Sequence, residues 1–339
     1  MKQSQGQALY LECYSGISGD MTVAALLDLG ADEKKLREVL QSLPLDGYEI
    51  EVTRVNKSGI DACDFNVVLD TDNHDHDMEY LHGHAHEHEH DHDHDHNHDH
   101  DHEHDHDHNH DHDHEHDHDH NHEHDHDHVY AHNHGHGHEH SHEADHDNQD
   151  HTHSHVHRGM AEIRDIINAG ALTEGARALS LHIFEILAAA EAKAHGVDIE
   201  QVHFHEVGAV DSIIDIVAAA VCMDQLGITE VIVPKLCEGR GTVRCQHGIL
   251  PIPVPAVQNI CIQQGLLLSL TDVEGELVTP TGAAIAAALK TGEKLPDSFR
   301  ILRTGIGAGK RTYHCPGILR IHLIEDGSCL KKNERMMGF

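Results

Sequence analysis

Between positions 74 and 157 the chain carries 37 histidines and 26 acidic residues, no lysine or arginine, and no apolar periodicity that could bury a face. Ordering a residue costs roughly 1–2 kcal/mol of backbone entropy, which buried apolar surface must offset. Asp-His, Glu-His and Asn-His couplets supply almost none. The segment 73–157 therefore reads as a long disordered insertion that interrupts one domain. Strict two-residue alternation would place every imidazole on one face of a strand, but repulsion among the acids works against it. One histidine is ordinarily a solvated or hydrogen-bonded side chain, and that reading does not account for 37 in one tract. Neutral imidazole suits Ni, Zn and Cu, so the tract reads as a high-capacity, low-selectivity sink for such ions. Lacking fixed geometry, it is not expected to be a catalytic centre.

The tract also concentrates the charge. Of 60 acidic residues, 34 lie outside it, against 23 lysines and arginines, within a formal net charge of −37. Neither part carries the basic stripe that nucleic acid requires, and an anionic membrane surface would repel both. The opening M-K-Q-S-Q-G-Q, followed by a short apolar run broken by Glu12, is too short and polar for a signal peptide. No apolar run approaches the roughly 18 residues of a membrane helix. Eight scattered cysteines without a C-x-x-C pair fit the reduced thiols of a cytoplasmic protein.

The remaining sequence predicts an α+β (mixed α/β) domain. Residues 8–14 read as a buried strand, 21–29 and 33–43 as helices, and 48–56 and 62–70 as strands joined by a turn at Ser58 and Gly59. After the insertion, helices are expected at 160–169, 175–195, 211–226, 256–264 and 282–290. Extended segments are expected at 201–206, 229–236, 299–304 and 317–324. Pro251, Pro253 and Pro255 are expected to forbid regular pairing. The domain limits are 1–72 and 158–325, around the insertion at 73–157 and before a tail at 326–339.

Five segments carry candidate chemistry. In V-H-F-H-E-V-G-A-V-D-S-I-I-D (202–215), His203 and His205 project to one side of an extended segment, and Asp211 and Asp215 lie four apart on the following helix. With Asp20 these form a candidate divalent-metal set, and Glu206 is either a ligand or a proton acceptor. The alternative is a strand with two polar residues before a helix capped by Asp211. In S-G-I-S-G-D-M (15–21), Gly16, Ser18 and Gly19 precede a helix whose free N–H groups suit an anion, though Asp20 also fits simple capping. The Gly-, Thr- and Pro-rich stretches 239–248 and 274–282 read as loops of a site wall, with His247 and Glu276 as titratable candidates and Thr279 and Thr281 as polar contacts. G-I-G-A-G-K-R (305–311), with Lys310, resembles a phosphate loop but lacks the required spacing.

These motifs, with A-E-A-K-A-H-G, H-G-I-L-P-I-P-V-P-A and E-L-V-T-P-T-G-A-A, resemble the nickel-insertion protein family of the nickel-pincer nucleotide cofactor pathway, often called LarC. H-F-H-E-V-G-A-V-D is the most specific of them. The resemblance implies insertion of Ni(II) into pyridinium-3,5-bisthiocarboxylic acid mononucleotide, a chelatase reaction of the lyase class that matures lactate racemase-type enzymes. It also implies consumption of CTP with Mn(II) or Mg(II). The family's C-terminal domain, joined in some members by a programmed frameshift, is expected to be a separate partner, as are the apo client enzyme and, in a homo-oligomer, further copies. Two other readings stay open: a nickel or zinc storage and delivery protein, and a metal-dependent hydrolase acting through His203, His205 and Asp211.

Overall fold

The computed structural model describes residues 7–70, 158–204, 209–245 and 247–328. The chain divides into one compact unit of residues 1–86 and 154–339 and another of 87–153, the latter wholly outside the described residues together with the rest of the histidine tract.

In chain order the elements are β1 (Gln7–Glu12), α1 (Gly19–Leu29), α2 (Glu33–Leu40), β2 (Tyr48–Lys57) and β3 (Ile60–Leu69), then β4 (Arg158–Gly159), α3 (Met160–Ala169), α4 (Glu174–His195) and β5 (His203–Phe204). These are followed by α5 (Val210–Leu226), β6 (Val231–Ile232), β7 (Leu236–Arg240), β8 (Thr242–Cys245), β9 (Gly248–Pro251), α6 (Pro255–Gln264), β10 (Leu268–Glu274), α7 (Pro280–Leu289), β11 (Phe299–Ala308) and β12 (Ile318–Asp326). The expected mixed α and β architecture is what forms.

Six strands make the principal sheet, in the order β2-β3-β11-β12-β1-β6. Neighbours run antiparallel except β3 with β11 and β1 with β6. The A-L-Y-L run of β1 is buried along its length, as a strand between two others requires. Ser58 and Gly59, both at positive φ, close the β2–β3 hairpin in the two-residue turn whose twist matches its strands. Helix α5 is apolar on nearly every side, with Ile213, Ile214, Ile216, Val217 and Ala218 through Met223 all buried, and it runs through the core between α1 and α4. Its N-terminal end carries Asp211, Ser212 and Asp215.

Close backbone approach fixes α1. A Cβ on Gly305 would lie 2.0 Å from the carbonyl oxygen of Ala25, and one on Gly307 would lie 2.0 Å from that of Met21. Gly305 and Gly307 of G-I-G-A-G-K-R thus belong to β11, where they let α1 lie directly on the strand. They form no phosphate loop. The loop before α1 is tied to the segment before α7: Ile17 N–H donates to the Leu277 carbonyl at 2.9 Å, and Thr279 N–H donates to that of Ile17 at 3.1 Å. A Cβ on Gly282 would fall 2.2 Å from the Ile17 carbonyl oxygen. Gly282→Ala is therefore expected to push the two helix starts apart and lower stability by about 1–3 kcal/mol, the usual cost of overpacking. An unchanged thermal midpoint would show that the contact is slack.

Several elements depart from the sequence reading. The strand expected over 229–236 is broken at Pro234: only Val231–Ile232 joins the main sheet, and the chain re-enters extended structure as β7, paired in parallel with β10. The stretch 239–248 is not a loop, since it holds the end of β7, all of β8 and the turn into β9. Pro251 does pair, opposite Thr242, at the last position of β9, where its missing N–H is tolerated. Pro253 follows a cis peptide bond, and Pro255 opens α6. Helix α7 begins at Pro280 rather than 282, with Thr279 as its N-cap.

Candidate functional site

Four helices start on one cavity of about 460 Å³, a volume suited to a small organic ligand. Lining it are Ser18, Gly19 and Asp20 of α1, Asp211, Ser212 and Asp215 of α5, Pro255 and Ala256 of α6, and Thr279, Pro280 and Thr281 of α7. Each start turns the positive end of a helix dipole toward it, an environment that favours anions, although side chains already take the N–H groups of Asp20 and Met21 on α1 and of Gly282 on α7. Lys310, Arg311 and Tyr313, from the connection between β11 and β12, close one side. Glu191 and His195 at the end of α4, Cys245 and His247 on the β8–β9 hairpin, and Phe204 of β5 complete the wall.

Asp20 and Asp215 pack together on the α1–α5 side, with Asp211 one helical turn before Asp215. The Asp20 carboxylate accepts from the Ser18 hydroxyl and from Met21 N–H, and the Asp215 carboxylate accepts from Asp20 N–H. Asp215 packs so closely on α1 that a Cβ at Gly19 would lie 2.6 Å from its Oδ2. Burial raises the Asp20 carboxyl above the usual range against the opposing pull of Ser18 and Lys310. Burial also raises Asp215 well above its usual value, and the charges of Asp20 and Asp211 add to the shift. Crowded, poorly solvated carboxylates of this kind suit a divalent cation.

That crowding gives a prediction. A carboxyl whose pKa is higher folded than unfolded costs no stability below its unfolded pKa. The cost grows as pH rises between the two values and is complete above the folded one. Asp215→Asn keeps an oxygen for Asp20 N–H and removes the charge. Without divalent metal at neutral pH it is expected to raise the thermal midpoint, by about 2–4 °C for each kcal/mol relieved. The difference should vanish in acid. A lower midpoint for the variant at neutral pH would contradict the assignment.

On the opposite side the charges are already matched. Lys310 Nζ lies 2.8 Å from Asp64 Oδ1, and Arg311 donates to Glu276 Oε2 at 2.9 Å. Tyr313 donates to the Glu276 carbonyl at 2.9 Å. Beneath them Glu238, fully buried, accepts from the N–H groups of Gly239, Leu277 and Val278 through Oε1 at 2.7–3.1 Å. Burial raises its carboxyl despite those bonds. Glu238 thus holds the 274–279 segment in place from below.

The structure brings together Ser18, Gly19, Asp20, Asp211, Asp215, His247, Glu276, Thr279, Thr281 and Lys310. Gly16 does not line the cavity: at φ +90 and with Leu277 against it, it shapes the loop. His205, Glu206 and the side chain of His203 lie outside the described residues, while β5 itself reaches the wall through Phe204. Among the described residues no three His, Cys, Asp or Glu side chains converge as a set that could hold a metal ion. Arg311, Tyr313, His195 and Cys245 were not anticipated. The basic pair K-R at 310–311 was the one available signal, since the others join the site only through tertiary structure. No helix among the described residues is long and apolar enough to cross a membrane.

Comparison with known proteins identifies the family. The profile described as nickel insertion protein matches residues 9–337. The chain is 48% identical over 319 residues to the pyridinium-3,5-bisthiocarboxylic acid mononucleotide nickel insertion protein of Alkaliphilus metalliredigens, covering 94% of this chain and 60% of that protein. It is 39% identical over 325 residues to the protein of that name from Clostridium acetobutylicum, covering 94% and 64%. A putative nickel insertion protein of Geobacter sp. is 34% identical over 317 residues, covering 93% and 61%. The chain thus spans about 60% of the length of the curated relatives it matches. No solved structure matches it. With a family profile running through β1, the four helix starts and β12 alike, the chain belongs to the nickel insertion protein family.

Proposed function

We propose that the cavity binds pyridinium-3,5-bisthiocarboxylic acid mononucleotide and inserts Ni²⁺ into it, yielding the nickel-pincer cofactor of lactate racemase-type enzymes. The observation that carries this reading is one cavity that combines groups for an anionic phosphate, Lys310, Arg311 and the starts of α6 and α7, with groups for a cation, Asp20, Asp211 and Asp215 at the starts of α1 and α5. The relatives named for that substrate support it. A storage protein would need only the tract, and a hydrolase only a metal-bound water. Neither requires the anion-binding side.

Ni²⁺, as substrate, is held by Asp20, Asp211 and Asp215 together with His203 and His205. Oxygen and imidazole donors bind it in an exchangeable way, whereas the product offers thiocarboxylate sulfur and carbon, so transfer runs toward the softer donors. Ser18, Gly19, Thr279, Thr281 and Lys310 seat the phosphate and fix the ring. The proton leaving the ring carbon passes to Glu206 or His247. Glu276, bound to Arg311, positions that arginine. The reaction is a chelatase step of the lyase class in the cytoplasm, and apo lactate racemase-type enzyme receives the product. CTP with Mn(II) or Mg(II) fits the crowded carboxylates and the anion-binding helix starts in donor type. Bound there, it would supply the free energy of phosphoanhydride cleavage, with the family's C-terminal domain as partner.

Calorimetric titration with the thiolated mononucleotide tests the substrate assignment. Saturable binding is expected, weakened roughly tenfold or more by Lys310→Ala, in line with about 1.5–3 kcal/mol for a hydrogen bond to a charged group. No binding to the unmodified chain would contradict the reading.

A further inference from the structure

The cavity rim holds donors of a second kind. Glu191 and His195 lie one turn apart on the last turns of α4, with Glu191 Oε2 3.5 Å from His195 Nε2. Facing them across the opening, Cys245 and His247 flank the β8–β9 turn, with Sγ 4.0 Å from Nδ1. The two pairs meet through the imidazoles, whose ring centroids are 4.9 Å apart. All four residues line the cavity, and none takes part in the carboxylate cluster.

From this we propose that Glu191, His195, Cys245 and His247 form a separate rim site for a borderline divalent ion such as Ni²⁺, bound through sulfur, nitrogen and one carboxylate oxygen. Thiolate adds a soft donor that the carboxylate and imidazole set of the proposed reaction lacks, and this favours Ni and Zn over Mg and Mn at the rim. The position favours a cation, because His195 ends α4, where the helix dipole is negative. The four donors are not closed into a coordination shell in the metal-free chain. His195 and His247 are exposed, and side-chain rotation at such positions takes picoseconds to nanoseconds, so the proposed shell requires the two imidazoles to turn toward Glu191 and Cys245 when the ion arrives. Binding releases the Cys245 thiol proton to solvent, since the thiolate is the ligand. The site makes His247 a ligand and leaves Glu206 as the proton acceptor of the proposed reaction.

The test uses the full reduced chain and Ni²⁺ alone. No cysteine occurs between 74 and 157, so thiolate-to-nickel charge-transfer absorption cannot arise from the tract. A saturable band is expected, absent in Cys245→Ser, and requiring roughly ten times more nickel in His195→Ala and in His247→Ala. Lack of a band at saturating nickel, or a band that survives Cys245→Ser, overturns the proposal. Because no mononucleotide is present, either outcome is independent of whether the cavity inserts nickel.

Discussion

Alanine at His203 or His205 is expected to abolish nickel transfer to the thiolated mononucleotide. The loss should exceed about 100-fold, since losing even an outer-shell partner costs about 10–100-fold. In the proposed site the two imidazoles supply nitrogen donors from the stretch between β5, whose Phe204 lines the cavity, and α5, which carries Asp211 and Asp215. A strand period followed by a helix start lets groups of different type reach one point without strain. The far-ultraviolet circular dichroism and the nickel capacity of the tract should stay nearly unchanged. Full transfer by either variant would remove that histidine from the site.

Deleting residues 74–157 should strip the chain of most of its nickel capacity, since 37 of 44 histidines go with it. The thermal midpoint and any insertion activity at saturating nickel should remain. Weak sites matter only when metal is scarce, because occupancy follows free metal relative to each dissociation constant. Binding by the intact tract should fall sharply below neutrality: protons compete for imidazoles with a reference pKa of about 6.5, and neighbouring carboxylates favour the protonated ring. Equilibrium dialysis against nickel at neutral and acidic pH reads both effects. Loss of folding in the deletion variant, or full retention of metal in acid, would count against this description of the tract.

Much of the fold follows from local pattern. The βααββ opening reads directly from A-L-Y-L, the amphipathic helices and the Ser58–Gly59 turn, and α5 from an apolar run long enough to be a helix and too uniform to lie on a surface. β7 did not read as a strand because its buried residues include Glu238 and Gly239, which a hydrophobicity pattern counts as polar or neutral. β8 and β9 alternate only between half-buried and exposed positions, so no period-two apolar signal marks them. The same limit shaped the site. Asp20, Asp211 and Asp215 could be placed by spacing from helix starts. His195 and Cys245, by contrast, come together only in the fold, each beside His247. Glycines 305 and 307 misled for a related reason, since close helix packing and phosphate binding both call for a missing Cβ.

The most direct measurement is the mass of the small molecule itself. The chain is incubated with Ni²⁺ and the thiolated precursor, with and without CTP and the family's C-terminal domain, and the mononucleotide is weighed by mass spectrometry. The account predicts a species heavier by one nickel and lighter by the displaced protons, formed by the unmodified chain with its partner domain and lost in His203→Ala and Asp215→Asn. Precursor recovered unmetallated under every condition, from a chain that binds both nickel and mononucleotide, would contradict it.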